Sequence, residues 1–119
     1  MSHSLTFGET PSSDDKLWGV AAHLVCMVFP VVGIFGSLAI YLIHRDKPFI
    51  AYHAAQSLGL QAGIWIAGVI VSVISGVTCG LGAILYLPLA MAYFIPLYGA
   101  YIAYEGQWKG YPLIEKLGR

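Results

Sequence analysis

Four side chains with hydrogen-bonding heads stand out in the apolar body of this sequence: His23, His53, Gln56 and Gln61. Imidazoles can ligate a metal or haem and relay protons, and primary amides can line a polar path or tie one helix to another. His53 and Gln56 are three apart, which puts them on one helix face, and Gln61 follows in the same string, HRDKPFIAYHAAQSLGLQ, running from His44 to Gln61. Polar groups inside an apolar helix face other helices or a water-filled cavity, so these four are the candidates for intramembrane polar or partner contact. Two uses stand side by side: interhelical hydrogen bonds of about 1 kcal/mol each, or the lining of a pore.

Other chemistries find less to work with. There is no CxxCH and no cluster of acidic ligands. If residues 17–43 cross a bilayer once, His23 and His53 lie about 20 Å apart in depth, which excludes a shared haem or metal. Only a first segment that doubles back would bring the two rings level. No Ser, His and acid set can be assembled, so neither catalytic residue, cofactor nor metal is expected, and the chain reads as a non-enzyme. Cys26 and Cys79 lack CxxC spacing and read as small buried hydrophobes.

The elements that position these residues follow from charge. Between Leu17 and Tyr104 only Arg45, Asp46 and Lys47 carry formal charge, whereas a soluble domain spreads charge along its whole length. With 58% hydrophobic residues and a mean hydropathy of +0.73, the 119-residue chain is predicted to be a single all-α integral membrane domain. The net charge of zero argues against nucleic acid as a partner.

Residues 1–11 read as a flexible polar tail and 12–119 as the membrane domain, with Ser12 and Asp15 in capping-box spacing at the first helix. Three apolar segments follow, at about 17–43, 49–75 and 83–104, with a tail at 105–119. Pro30, Gly33 and Gly36 mark a helix break in the first. Three transmembrane segments are therefore the expected bundle; the alternative makes the first a helical hairpin turning at the break. The link SGVTCGLG predicts a tight turn between the second and third segments.

Positive charges are retained on the cytoplasmic side. The three-span threading puts Arg45, Lys47, Lys109, Lys116 and Arg119 there and only Lys16 outside, while the hairpin threading puts all of them inside. Both leave the C-terminus cytoplasmic. Tyr41, Phe49, Tyr52, Tyr101, Tyr104, Trp108 and Tyr111 read as an aromatic belt at that interface. Along the second segment Ala55, Gly59, Gly63 and Ala67 recur every four residues as a packing seam for another helix of this chain or of a second copy.

The arrangement DDKLWGVAAHL, then Pro30 and Gly33, then HRDKPFIAYHAAQSLGLQ, then GQWKGYPLIEK resembles small bacterial and archaeal membrane proteins distantly similar to the Tic-twenty component of the chloroplast inner-envelope import machinery. The matching residues are His23, Pro30, Phe49, His53, Gln56, Gln61, Tyr111 and Pro112. The resemblance implies a helical membrane fold and, by analogy with the plastid relatives, a link to protein translocation. The function expected is that of a scaffold or accessory subunit of the bacterial inner (cytoplasmic) membrane, in a homo-oligomer or larger complex. A small oligomeric channel lined by His53, Gln56 and Gln61 is the alternative, and a haem- or quinone-binding redox subunit a third.

Overall fold

The computed structural model describes residues 10–28, 32–112, 114 and 115, and these are helical with no strand among them. Helix α1 spans Ser13–Val28, α2 Gly33–Ile43 and α3 Pro48–Val77; a short 3-10 helix at Leu81–Leu85 leads into α4, Tyr86–Ala92, and α5, Ile95–Tyr104. The first helix begins where its cap predicts. Ser12 Oγ accepts the Asp15 amide at 3.2 Å, and the Asp15 carboxylate accepts the Ser12 amide at 3.3 Å, so two otherwise unpaired donors are satisfied reciprocally. Ser12→Ala is expected to lower stability by about 1 kcal/mol, read as a small drop in the thermal midpoint of the detergent-solubilised protein.

Between α1 and α2 the chain reverses. Pro30, the residue predicted to break the helix, lies outside the described residues, but the outcome is visible on either side of it. Gly33 packs against the Cys26 backbone, Gly36 against the Val25 side chain, and Ser37 Oγ donates to the Ala22 carbonyl at 2.9 Å. A methyl group on Gly33 would sit 2.8 Å from the Val25 carbonyl oxygen, so the absence of a side chain sets how closely the two helices approach. The break therefore makes a hairpin rather than a kink in one long span. The starts of α1 and α3 consequently lie at the same end of the molecule: the Trp18 and His44 rings meet tilted at 46° with centres 4.4 Å apart, and a methyl on Gly106 would lie 2.8 Å from the Lys16 side chain. This differs from the three-span threading, which separates Lys16 from Arg45 by a membrane thickness.

The hairpin is short. Helices of 16 and 11 residues are roughly 24 and 17 Å long, against about 30 Å for a hydrocarbon core. Near its tip the Met27 carbonyl accepts a hydrogen bond from Tyr93, midway along the stretch Leu81–Tyr104. Among the described residues two stretches are long and apolar enough to cross a bilayer, Pro48–Val77 and Leu81–Tyr104, with mean hydropathies of 1.9 and 1.7. The second breaks at Tyr93–Phe94, just before Pro96, whose missing amide donor falls in the first turn of α5. Its predecessor Pro88 sits in the first turn of α4 and breaks nothing.

The turn joining the two apolar stretches is as tight as its glycines predict, with positive φ at Cys79 (56°) and Gly80 (93°). Cys26 is buried as expected, but Cys79 is exposed in this turn rather than packed in a core. Large apolar residues line the outer surface of both stretches, including Ile66, Val69, Val73, Val77, Leu81 and Leu87. His23, Ser37, His53, Gln56, Ser57 and Gln61 are inside, the inverse of a water-soluble domain.

A candidate functional site in the polar core

The lower half of α3 carries two rows of polar side chains. His53, Ser57 and Gln61 recur every four residues and face the hairpin, while Tyr52 and Gln56 point to the segment after α5. All four sequence candidates lie in this core: His23, His53 and Gln56 are 0% exposed and Gln61 is 5% exposed. The structure brings His23 and His53 into direct contact, correcting the separation in depth expected of a single first span. The hairpin makes the difference, because it returns α1 to the depth of the first turns of α3.

The two histidines form a directional chain. His23 Nδ1 meets the Tyr111 hydroxyl at 2.7 Å, His23 Nε2 meets His53 Nδ1 at 2.9 Å, and His53 Nε2 meets the Gln107 carbonyl at 2.9 Å. A carbonyl only accepts, so His53 Nε2 carries the hydrogen. In a neutral ring His53 Nδ1 then accepts, His23 Nε2 donates, and Tyr111 donates to His23 Nδ1. Burial raises the Tyr111 phenol above its ordinary range, which keeps it a hydrogen donor. Gly99 of α5 lines this contact, since a methyl there would collide with Tyr111 Oη and His23 Nδ1.

Gln56 holds the same segment from the other row. Its Oε1 accepts the Tyr111 amide at 2.9 Å and its Nε2 donates to the Ile114 carbonyl at 2.6 Å, while Tyr52 donates to the Glu115 carbonyl at 2.7 Å. Gly110 gives this C-terminal strap, residues 107–112, 114 and 115, room to pass, because a methyl group there would overlap the Gln56 amide. Trp108 packs edge-on to Phe49 at 5.2 Å between ring centres. Phe49 and Tyr52 are thus fully buried core residues rather than members of an interfacial belt. Tyr101 and Tyr104, more than half exposed, do face outward.

Higher in the core, Gln61 Nε2 donates to Ser37 and Ser57 Oγ, both at 2.9 Å, and the two hydroxyls lie 3.0 Å apart. Among the described residues Gln61 Oε1 is buried with no hydrogen-bond partner. Ser37, Ser57, Gly99, Gln107 and Gly110 escape a reading of the sequence alone. A serine or glycine is unremarkable until the partner arriving from another helix is known.

The small-residue seam divides. Ala55 is buried, whereas Gly59, Gly63 and Ala67 line an apolar groove of about 370 Å³ together with Leu89, Ala92, Ile95, Tyr98, Tyr111, Pro112 and Ile114. A methyl group on Gly63 would meet nothing within 4 Å. Gly63→Ala is therefore expected to stabilise the monomer by up to about 1 kcal/mol through helix propensity, measured by detergent-phase unfolding.

Among the described residues no three His, Cys, Asp or Glu side chains gather as a metal site. No curated protein and no solved structure matches the chain, so the similarity to the chloroplast import component is not among the findings. A family match does extend over residues 14–117, nearly the whole chain, and takes in α1 to α5 together with the strap. On that match the chain belongs to the MamF/MmsF family, described as the magnetosome magnetite crystal formation protein family.

Proposed function

We propose that this protein is a non-enzymatic, multi-pass scaffold of the membrane that encloses a growing magnetite crystal. One observation carries the reading: the polar side chains that would line a pore or serve a reaction are bonded to one another and to the chain's own C-terminal strap. A core arranged in this way locks helices together, and its outer surface is free to meet lipid and other membrane proteins. The family description supplies the setting, magnetite formation, and not the part played by this chain. A role in protein translocation came only with the resemblance to the plastid proteins and gains no support from this family.

In this reading α3 and the stretch 81–104 cross the bilayer, and the α1–α2 hairpin enters halfway from the side on which α1 begins. The charges of Lys16, Arg45, Lys47 and Lys109 mark that side as cytoplasmic, so the start of α1 and the strap face the cytoplasm together. The bacterial inner membrane, or a compartment derived from it, is the expected location. The open groove beside Gly63 supports assembly with a further membrane helix, in a homo-oligomer or larger complex.

Three measurements test the proposal. With Cys26 and Cys79 replaced by alanine, single cysteines at positions 12 and 107 should label from the same face of sealed vesicles, and labelling from opposite faces would overturn the topology. Proteoliposomes should show no ion flux above empty vesicles; flux abolished by His53→Ala would favour the channel instead. Deleting the gene in a magnetosome-forming host should alter crystal size or number, and unchanged crystals would remove the functional setting.

A further inference from the structure

The His23–His53 pair does more than fill space, because its hydrogen bonds admit only one arrangement of protons. Four ring nitrogens are engaged, by Tyr111, by Gln107 and by each other, leaving none for a carboxylate or another partner. Only one hydrogen fits between two nitrogens 2.9 Å apart. The neutral pair supplies two hydrogens, one for the Gln107 carbonyl and one for the contact between the rings. A third proton, on whichever ring it is placed, ends on His23 Nδ1 facing the Tyr111 hydroxyl. Tyr111 must then turn its own hydrogen away from its acceptor, beside Gly99. The result is a cation and an unpaired hydroxyl hydrogen in a fully buried site.

We propose that this pair is an acid-operated latch on the strap (residues 107–112, 114 and 115), so that adding a proton to the coupled pair, which ends on His23 Nδ1, releases the strap from α3. The inference rests on the reading that the polar core holds the strap in place. The groups facing the pair are few. Helix α1 contributes the Cys26 thiol, which donates to the His23 carbonyl, α3 contributes the Tyr52 ring, and the strap contributes Tyr111. Helix α2 brings Ser37 against the Ala22 carbonyl, and α5 brings Gly99 and Ala103, none of which titrates. At the rim Lys16 lies against Gly106, with Glu105 preceding it in the chain. None of these supplies an anion hydrogen-bonded to the rings, so the added charge is relieved by hydration as the strap lifts. Release has a structural consequence, since Tyr111, Pro112 and Ile114 also line the groove beside Gly59 and Gly63. Acid therefore opens the face on which a partner helix would pack.

Hydrogen–deuterium exchange of the full chain in lipid nanodiscs tests the latch, with rates corrected for the intrinsic pH dependence of amide exchange. Protection of the 107–115 peptide should fall at least tenfold between pH 7.5 and pH 5, while protection of residues 62–75 stays constant. His23→Gln should abolish that pH response and His44→Gln should retain it. Equal strap protection at both pH values in the wild type, a response surviving His23→Gln, or one lost in His44→Gln would each overturn the latch. If His23→Gln does not fold, judged by the 62–75 peptide, the wild type and His44→Gln still decide. Gln56→Ala at pH 7.5 separately tests the underlying reading: a strap that stays fully protected there would show that the core does not hold it, whatever the pH response.

Discussion

His53→Leu is expected to free the C-terminal strap at neutral pH and to destabilise the protein by about 2–4 kcal/mol. Leucine fills much of the imidazole volume, so the loss is one of hydrogen bonding more than of packing. The Gln107 carbonyl loses its donor, and His23 is left with one unpaired nitrogen whichever tautomer it adopts. A buried group deprived of its partner costs roughly 1–3 kcal/mol, more than the net worth of an ordinary hydrogen bond. The check is denaturant titration in mixed micelles combined with exchange protection of residues 107–115. A variant as stable as wild type, with its strap still protected, would show that the histidine chain contributes nothing to holding it.

Gly33→Ala is expected to lower stability by about 2–3 kcal/mol, the opposite sign from Gly63→Ala. The atoms a new methyl would meet at Gly33 are backbone: the Cys26 α-carbon and amide nitrogen and the Val25 carbonyl oxygen. No rotamer change can relieve that overlap, so the arms of the hairpin must part. Parting them strains the bond from Ser37 to the Ala22 carbonyl, and with it the Ser37–Ser57–Gln61 cluster. Helix propensity returns only about 1 kcal/mol. Thermal unfolding of the two glycine variants side by side would decide. Equal shifts would mean that α1 and α2 do not approach as closely as described.

Much of the fold was legible before any coordinates. Charge confined to one island and the chain ends implied a lipid environment, and the glycine-rich link implied a tight turn. The Ser12–Asp15 cap followed from spacing alone, because both partners lie within one turn of the same chain. His23, His53, Gln56 and Gln61 stood out for an equally local reason: a polar head in an apolar helix is costly wherever its partner comes from. The polar partners that complete the site were not legible. Gln107 and Ile114 take part through backbone carbonyls, which every residue has, and Ser37 and Ser57 are small enough to suit a solvated or a buried position.

The sequence by itself determined the solvent of this protein, the end at which its charges gather along α3, and which side chains had to find partners within it. Those are properties of composition and helical period, and they hold for any threading. Only the tertiary structure decided between a single first span and a hairpin, because a proline and two glycines permit both a kink and a reversal. What selects the reversal is contact: Gly33 against the Cys26 backbone, Ser37 on Ala22, and His23 between Tyr111 and His53. These pairs lie between 7 and 88 positions apart in the chain, and a buried polar group is satisfied only when its distant partner arrives.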